Sequence, residues 1–471
     1  MALLKAIPSS LAAAGCIALA AVGISATTNP ATADVHADLA AQQIRISSGA
    51  VHAGAAAAAP LTTQQCLTQY GVSCYGARQI QSAYNLPTLY SKGVTGRGQT
   101  IVIVDAFGSP TIAHDLAVFD HTYRLPAPPS LHVIQPAGSF TWQANDTDEG
   151  WAGETTLDVE YAHTIAPGAN ILLVETPVSE EEGTSGFPEI ETAEKYVIDH
   201  HLGGVISQSF SATEETFPSK QSLLALRGAY TDAYAKGVTV LAASGDDGAA
   251  DSQYNEVDYY LHPVTSWPDS DPLVTGVGGT QLHLDAAGQR TAPDNVWNDT
   301  YNIAAQQFVY GSNGPNPIAG GGGKSVVFSR PGYQNGVASV VGSQRGVPDI
   351  SMSGACDGAV NIYQSFAGSP AGWYPTCGTS EATPLFAGIV SLADQVAGHP
   401  LGLINPSLYR LSAAHAPGIV DITKGNNTVG FTQDGKLDTI TGFNATPGYD
   451  LASGVGTVNA AYFVPELARL G

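Results

Sequence analysis

The chain has 471 residues, long enough for one large domain or two ordinary ones. With 53 Gly, 29 Pro and only 13% charged residues, it suits a compact, loop-rich fold that leans little on ion pairs, a composition compatible with an acid medium where carboxylates lose charge. The formal net charge of -23, from 41 acidic and 18 basic residues, argues against nucleic acid or an anionic membrane surface as a partner.

In chain order, residues 1–33 read as a secretory signal. Lys5 supplies the positive start, Leu11 to Ile24 is apolar and alanine-rich, and Ala31-Thr32-Ala33 is a small-x-small cleavage site, so Asp34 begins the exported chain. A lipoprotein signal ending at Cys16 is the alternative, but leucine is missing at its usual place and the apolar run continues past it. No other stretch is long and apolar enough to span a membrane, so the expected location is secreted and extracellular. Residues 34–75 read as a short leader or linker, alanine-rich up to residue 60. Four cysteines remain after cleavage, an even number in an export context. Cys66 and Cys74 bracket LTQYGVS, and Cys356 and Cys377 flank a loop that ends at GTSEATP. Bridges Cys66–Cys74 and Cys356–Cys377 are expected. Two other pairings stay formally open, and the spacings argue against a Cys/His metal site.

From residue 99 onward, buried-strand patterns alternate with helical ones. IVIVDAF, NILLVET, GVISQSF and VTVLAAS read as strands. DVEYAHTI, ETAEKYVIDHHL, SLLALRGAYTDAYAKG and TPLFAGIVSLADQ read as helices. This alternation predicts the α/β class, with a mainly parallel central sheet and helices on both faces.

Three segments carry candidate chemistry. In DEGWAGETTLDVEYAHTIAPGANILLVET, Glu154 and Asp158 are four apart and share one helix face. A solvated acidic face is the ordinary reading of such a pair. Against it, the helix runs straight into a turn and a buried strand, and its neighbours are small and apolar. His163 lies on a different part of the helix and reads as structural. VTVLAASGDDG is a buried strand with a loop at its carboxyl end, where sites gather in α/β sheets. Asp246 in that loop can donate a hydrogen bond when protonated; a Gly-Asp turn, or a cation loop shared with Asp247, is the alternative. In Gly378-Thr379-Ser380-Glu381-Ala382-Thr383-Pro384, Ser380 precedes an apolar helical stretch. A serine there has an exposed hydroxyl beside backbone N–H groups able to stabilise an oxyanion. A plain Thr-Ser N-cap is the alternative.

These strings, in this order, resemble the sedolisins, or serine-carboxyl peptidases, which have a subtilisin-like fold. AYNLPTLYSKGVTGRGQTIVIVD resembles the opening of their catalytic domain, ETTLDVEYAHTIAPGA their Glu–Asp helix, and LAASGDDG their oxyanion-aspartate segment. SWPDSDPLVTGVGGT, GGGGKSVVFSRPGYQ and RGVPDISM follow in family order, and GTSEATP carries the serine. A subtilisin-type triad would need an HGTHVAG-like helix, and no such string is present. The resemblance implies a single catalytic domain over 76–471, with Ser380 as nucleophile, Glu154 as base, Asp158 as its partner and Asp246 as oxyanion donor. It implies a secreted monomer that hydrolyses peptide or protein substrates. A glutamate base, of ordinary pKa about 4.3 against about 6.5 for histidine, sets the optimum at roughly pH 3–5.

The resemblance further implies one structural Ca2+ near the C-terminus. Its ligands would be the carboxylates of Asp421 and Asp450 and the carbonyls of Ile422, Thr446 and Gly448, an oxygen set that suits calcium. Without the family, those segments are ordinary acidic turns. Three departures stand out. Most members carry a prodomain of well over a hundred residues, and here at most about 40 residues separate signal and catalytic domain, which puts the usual inhibitory and chaperoning segment in doubt. Asp105 stands where many members have a glutamate that extends the catalytic network, and Phe210 where a tryptophan is common. Two rival readings remain: a Ser-His-Asp subtilase, and a catalytically silent secreted binding protein on a peptidase scaffold.

Overall fold

The computed structural model describes residues 56–471. The expected signal at 1–33 and the 34–55 part of the leader lie outside the described residues. Eight strands build the central sheet: β1 Thr100–Ala106, β2 Leu131–Ile134, β3 Asn170–Thr176, β4 Val205–Gln208, β5 Thr239–Ala243, β6 Thr275–Gln281, β7 Asn295–Val296 and β8 Ile350–Ser353. Their order is β7-β6-β5-β4-β1-β3-β2, with β8 also paired to β6, and every pairing is parallel except β7 on β6. The helices used below are α1 Ile112–Tyr123, α2 Asp146–Ile165, α3 Phe187–Asp199, α4 Gly228–Lys236, α5 Thr379–Ala397 and α6 Ala460–Ala468.

Successive side chains of a strand point to opposite faces. Ile101 and Ile103 of β1 accordingly join a buried cluster with Leu157 and Ile165 of α2, Leu385 and Phe386 of α5 and Phe463 of α6. Val102 and Val104 join a second cluster with Ile190 and Val197 of α3 and Tyr230 and Ala233 of α4. Both faces of the sheet are therefore covered, as a mainly parallel sheet requires.

The four expected strands are all present. Three more, β2, β6 and β8, have patterns that hide them. β6 reads TGVGGTQ, and its glycines are there for packing: a Cβ on Gly278 would lie 2.6 Å from Ser351 Oγ, and one on Gly279 2.6 Å from the Trp297 ring. The helix expected over 222–237 is two, Lys220–Leu224 and α4, because Arg227 leaves helical geometry and its Nη2 donates to Asp271 Oδ1 at 2.8 Å. The Glu–Asp helix is longer than its apolar string. It starts at Asp146, where Asn145 caps it by accepting from the Asp148 N–H at 3.0 Å, and Asp146, Asp148 and Glu149 complement the positive end of the helix dipole.

Both expected disulfides, Cys66–Cys74 and Cys356–Cys377, are present, and all four cysteines lie in one buried cluster with Trp297 and Phe308. Residues 56–75 pack into the same unit: Ala57 and Trp373 exchange backbone hydrogen bonds, and Cys74–Tyr75 pairs in parallel with Ala359–Val360.

Candidate active site

Each candidate side chain stands at the carboxyl end of a sheet strand or on one of two helices that share a face of the sheet. Glu154 and Asp158 lie one turn apart on α2 and are wholly buried. Asp158 Oδ1 accepts a hydrogen bond from the Ser209 hydroxyl at 3.0 Å, just past β4. Burial holds the Asp158 carboxyl well above the usual carboxylate range, and the carboxyls of Asp105 and Glu154 beside it push the same way. Asp105, at the end of β1, is also buried. Burial pushes it up to about 7, aided by Glu175, which sits opposite it on β3.

Ser380 is the second residue of α5 and is fully buried. α5 packs against α2. A Cβ on Gly388 of α5 would lie 2.5 Å from Ile165 Cβ and 3.2 Å from the Ala162 carbonyl of α2. Nearer the helix starts, the Ser209 hydroxyl bonds Asp158 and approaches the Ser380 carbonyl at 3.5 Å. The contacts advance together along both helices, so the two run in the same direction. Counting the same number of residues back from Gly388 and from Ala162 reaches Ser380 and Glu154. Pro384 assists: it has no N–H for the Ser380 carbonyl, which faces Ser209 instead.

Asp246 closes the third side. Its Oδ1 accepts from the Thr379 N–H and the Thr379 hydroxyl, each at 2.7 Å. A Cβ on Gly378, at φ +133°, would lie 2.6 Å from Asp246 Oδ2, so only glycine lets that carboxyl reach the start of α5. Burial pushes Asp246 up to about 6 against the pull of the two Thr379 bonds. The 320–323 glycines wall the loop: the Gly321 N–H donates to the Gly245 carbonyl at 2.8 Å, and a Cβ there would meet the Ser244 carbonyl at 1.8 Å.

His163 is the only histidine buried among the described residues. Its Nε2 sits 2.8 Å from the Pro126 carbonyl and 3.1 Å from Asp120 Oδ1, more than two helical turns along α2 from Glu154. It is tied into the fold away from the serine. Phe210 is buried against Trp151 and Phe187, an apolar contact where an indole could have donated. The motifs name Ser380, Glu154, Asp158 and Asp246 but do not single out Ser209 or Thr379. Both stand next to a motif, so adjacency was the available signal.

The segments expected to hold calcium are also brought together. The Gly448 N–H donates to Asp421 Oδ2 at 3.0 Å, and the Thr446 N–H to Asp450 Oδ2 at 2.8 Å. Asp450 Oδ1 is held by the N–H groups of Ala452 and Ser453 and the Ser453 hydroxyl. Among the described residues, the carbonyls of Ile422, Thr446 and Gly448 enter no backbone hydrogen bond. An all-oxygen set of two carboxylates and three carbonyls fits Ca2+. No group of three or more His, Cys, Asp or Glu is arranged to hold a metal among the described residues; this set contains only two such side chains.

A mainly parallel, doubly covered sheet with a buried serine opening a long helix defines the subtilisin-like scaffold. The Subtilase family model matches residues 130–409. Kumamolisin of Bacillus sp. (strain MN-32) is 31% identical over 393 residues, covering 82% of this chain and 62% of its own length. Sedolisin of Pseudomonas sp. (strain 101) is 29% identical over 388 residues, covering 82% and 61%. The structure of Pseudomonas sedolisin complexed with two molecules of pseudo-iodotyrostatin shares the fold, with a TM-score of 0.67 at 24% identity over 83% of this chain and 97% of that one. The chain belongs to the subtilase family, in its sedolisin branch. It spans less than two thirds of the length of these two curated relatives.

Proposed function

We propose that the protein is a secreted, acid-active serine-carboxyl peptidase that cleaves peptide bonds of peptide or protein substrates through an acyl-enzyme on Ser380. The observation that carries this reading is the side-by-side run of α5 and α2, which sets a buried serine beside a buried carboxyl pair. Ser380 Oγ attacks the scissile carbonyl while Glu154 takes its proton, and Glu154 later returns that proton to the leaving amine. Water then attacks the acyl-enzyme by the same route, releasing the acid product and restoring Ser380. Asp246, protonated, joins the Ser380 N–H in binding the oxyanion. Its Oδ1 is engaged by Thr379, so Oδ2, over Gly378, is the oxygen that carries the proton. With Asp246 raised to about 6, that proton is lost towards neutral pH, and an ionised Asp246 would repel the oxyanion.

The test is hydrolysis of denatured protein from about pH 2.5 to 9 by the exported protein and its Ser380→Ala variant. Activity confined to acid and lost in the variant is the expected result. Serine-dependent activity peaking near pH 8 would instead require a histidine base, and activity that survives in Ser380→Ala would remove the nucleophile.

We further propose that Asp421, Asp450 and the carbonyls of Ile422, Thr446 and Gly448 hold a Ca2+. When bound, the ion would offset the charge of the two carboxylates and cross-link the two segments. Chelation is then expected to lower the melting temperature, since a ligand at a hundredfold excess over its Kd favours the folded state by about 2.7 kcal/mol. An unchanged melting curve after chelation and dialysis would count against these ligands.

A further inference from the structure

Glu381 directly follows the proposed nucleophile, yet successive helical residues point about 100° apart, and its side chain is fully buried in the core. Neither carboxyl oxygen has a hydrogen-bond partner in the structure, and the same is true of the buried hydroxyls of Ser353 and Thr280. These atoms belong to one place. Ser353 of β8 stands directly opposite Thr280 of β6, so both side chains lie on one face of the sheet. The Ser353 hydroxyl is the polar group that acts on the Glu381 carboxyl. The titratable groups that face Glu381 are phenols. Tyr84 accepts from the Ser353 N–H at 2.7 Å, and Tyr161 of α2 donates to the Asn361 carbonyl at 3.0 Å. Arg290 lies over the Tyr84 ring, 5.4 Å from its centroid, and is paired with Asp294. A fully buried carboxyl with no cation beside it is held as the neutral acid, which can donate its O–H to one hydroxyl and accept from the other through its carbonyl oxygen. The same spot anchors the nucleophile turn. The Gly354 N–H donates to the Thr280 carbonyl, the Gly354 carbonyl accepts from the Gly378 N–H at 2.9 Å, and the Gly378 carbonyl accepts from the Glu381 N–H at 2.9 Å.

We infer that Glu381, as a carboxylic acid, is a positioning residue for Ser380: it hydrogen-bonds the hydroxyls of Ser353 and Thr280 beneath the Gly378–Ser380 turn and locks that turn onto the ends of β6 and β8. The inference rests on Ser380 being the nucleophile. Ionisation of Glu381 would place an uncompensated charge under the turn, so the lock holds in acid and fails as the pH rises.

The experiment compares the parent with Glu381→Gln, which keeps the hydrogen-bonding groups without the charge, and Glu381→Leu, which keeps only the bulk. In acid, kcat of Glu381→Leu is expected to fall at least about tenfold with KM within about twofold, while Glu381→Gln stays within about threefold of the parent in both. Melting temperature is also followed against pH. Glu381→Gln is expected to hold its melting temperature to a higher pH than the parent. Should Glu381→Leu fail to fold, Ser353→Ala takes its place with the same kcat expectation. Parental kcat in the Leu or Ser353→Ala variant, equal impairment of Leu and Gln, or superimposed melting-versus-pH curves for parent and Gln would each overturn the proposal. Failure of the peptidase reading shows separately, as an inactive parent or an active Ser380→Ala; the melting curves then still decide whether a neutral Glu381 braces the turn.

Discussion

At pH 8 the protein is expected to be far less stable than at pH 4. Many of its carboxyls are buried without a cation. Burial raises Asp105 to about 7, Asp394 to about 8 and Glu182 to about 9, the last also by its proximity to Asp251. Glu160, Glu194 and Glu381 are raised well above the ordinary range for the same first reason. In the unfolded chain these groups titrate near 4. Between pH 4 and their folded values, the folded state therefore holds protons that the unfolded state has released. Stability then falls as pH rises, because the unfolded state binds fewer protons. The contribution is complete below about pH 4, declines as the unfolded chain releases its protons, and is gone once the pH has risen through the folded values of about 7 to 9. Each pKa unit is worth about 1.4 kcal/mol, and whole domains are stable by only about 5–15 kcal/mol. Two or three such groups therefore suffice to bring the fold to its limit. Thermal melts at one-unit steps from pH 3 to 8 should show the highest melting temperature on the acid side. A melting temperature that rises from pH 4 to 7 would sink the idea.

The same chemistry explains what could and could not be read in advance. Strands β1, β3, β4 and β5 are continuous apolar runs and declare themselves. β6 does not, since close packing against Trp297 and Ser351 has replaced its side chains with glycine. The first turns of α2 carry three acids and no apolar stripe, so only the Asn145 cap marks the start. At the site, motif order brought out Ser380, Glu154, Asp158 and Asp246. What it left unseen depends on strand register and helix direction: Ser209 reaching both Asp158 and Ser380, Thr379 holding Asp246, and Glu381 turned inward to Ser353. Those relations join residues on different strands and helices, and only the folded sheet supplies them.

Replacing Glu154 by Gln is expected to lower kcat about a thousandfold, the middle of the range for loss of a positioned base, with KM little changed. The more telling comparison is at Asp158. Its Oδ1 accepts from Ser209, and burial with its acidic neighbours keeps it protonated in acid. The pair is expected to titrate as one unit, and Asp158, raised by burial and then by Asp105 and Glu154, is expected to hold the proton and leave Glu154 free to act as base. Asp158 then acts as a donor towards the base, and does so without a charge of its own. Asn in its place retains an N–H donor, so Asp158→Asn should lose no more than about tenfold in kcat, whereas Asp158→Ala, with no donor, should lose about a hundredfold. Steady-state kinetics across the acid range separates the two readings. If Asp158→Asn were as impaired as Asp158→Ala, the charge of Asp158 would be the working element. The proton would then reside on Glu154 in the resting enzyme, and Glu154 could not serve as the base.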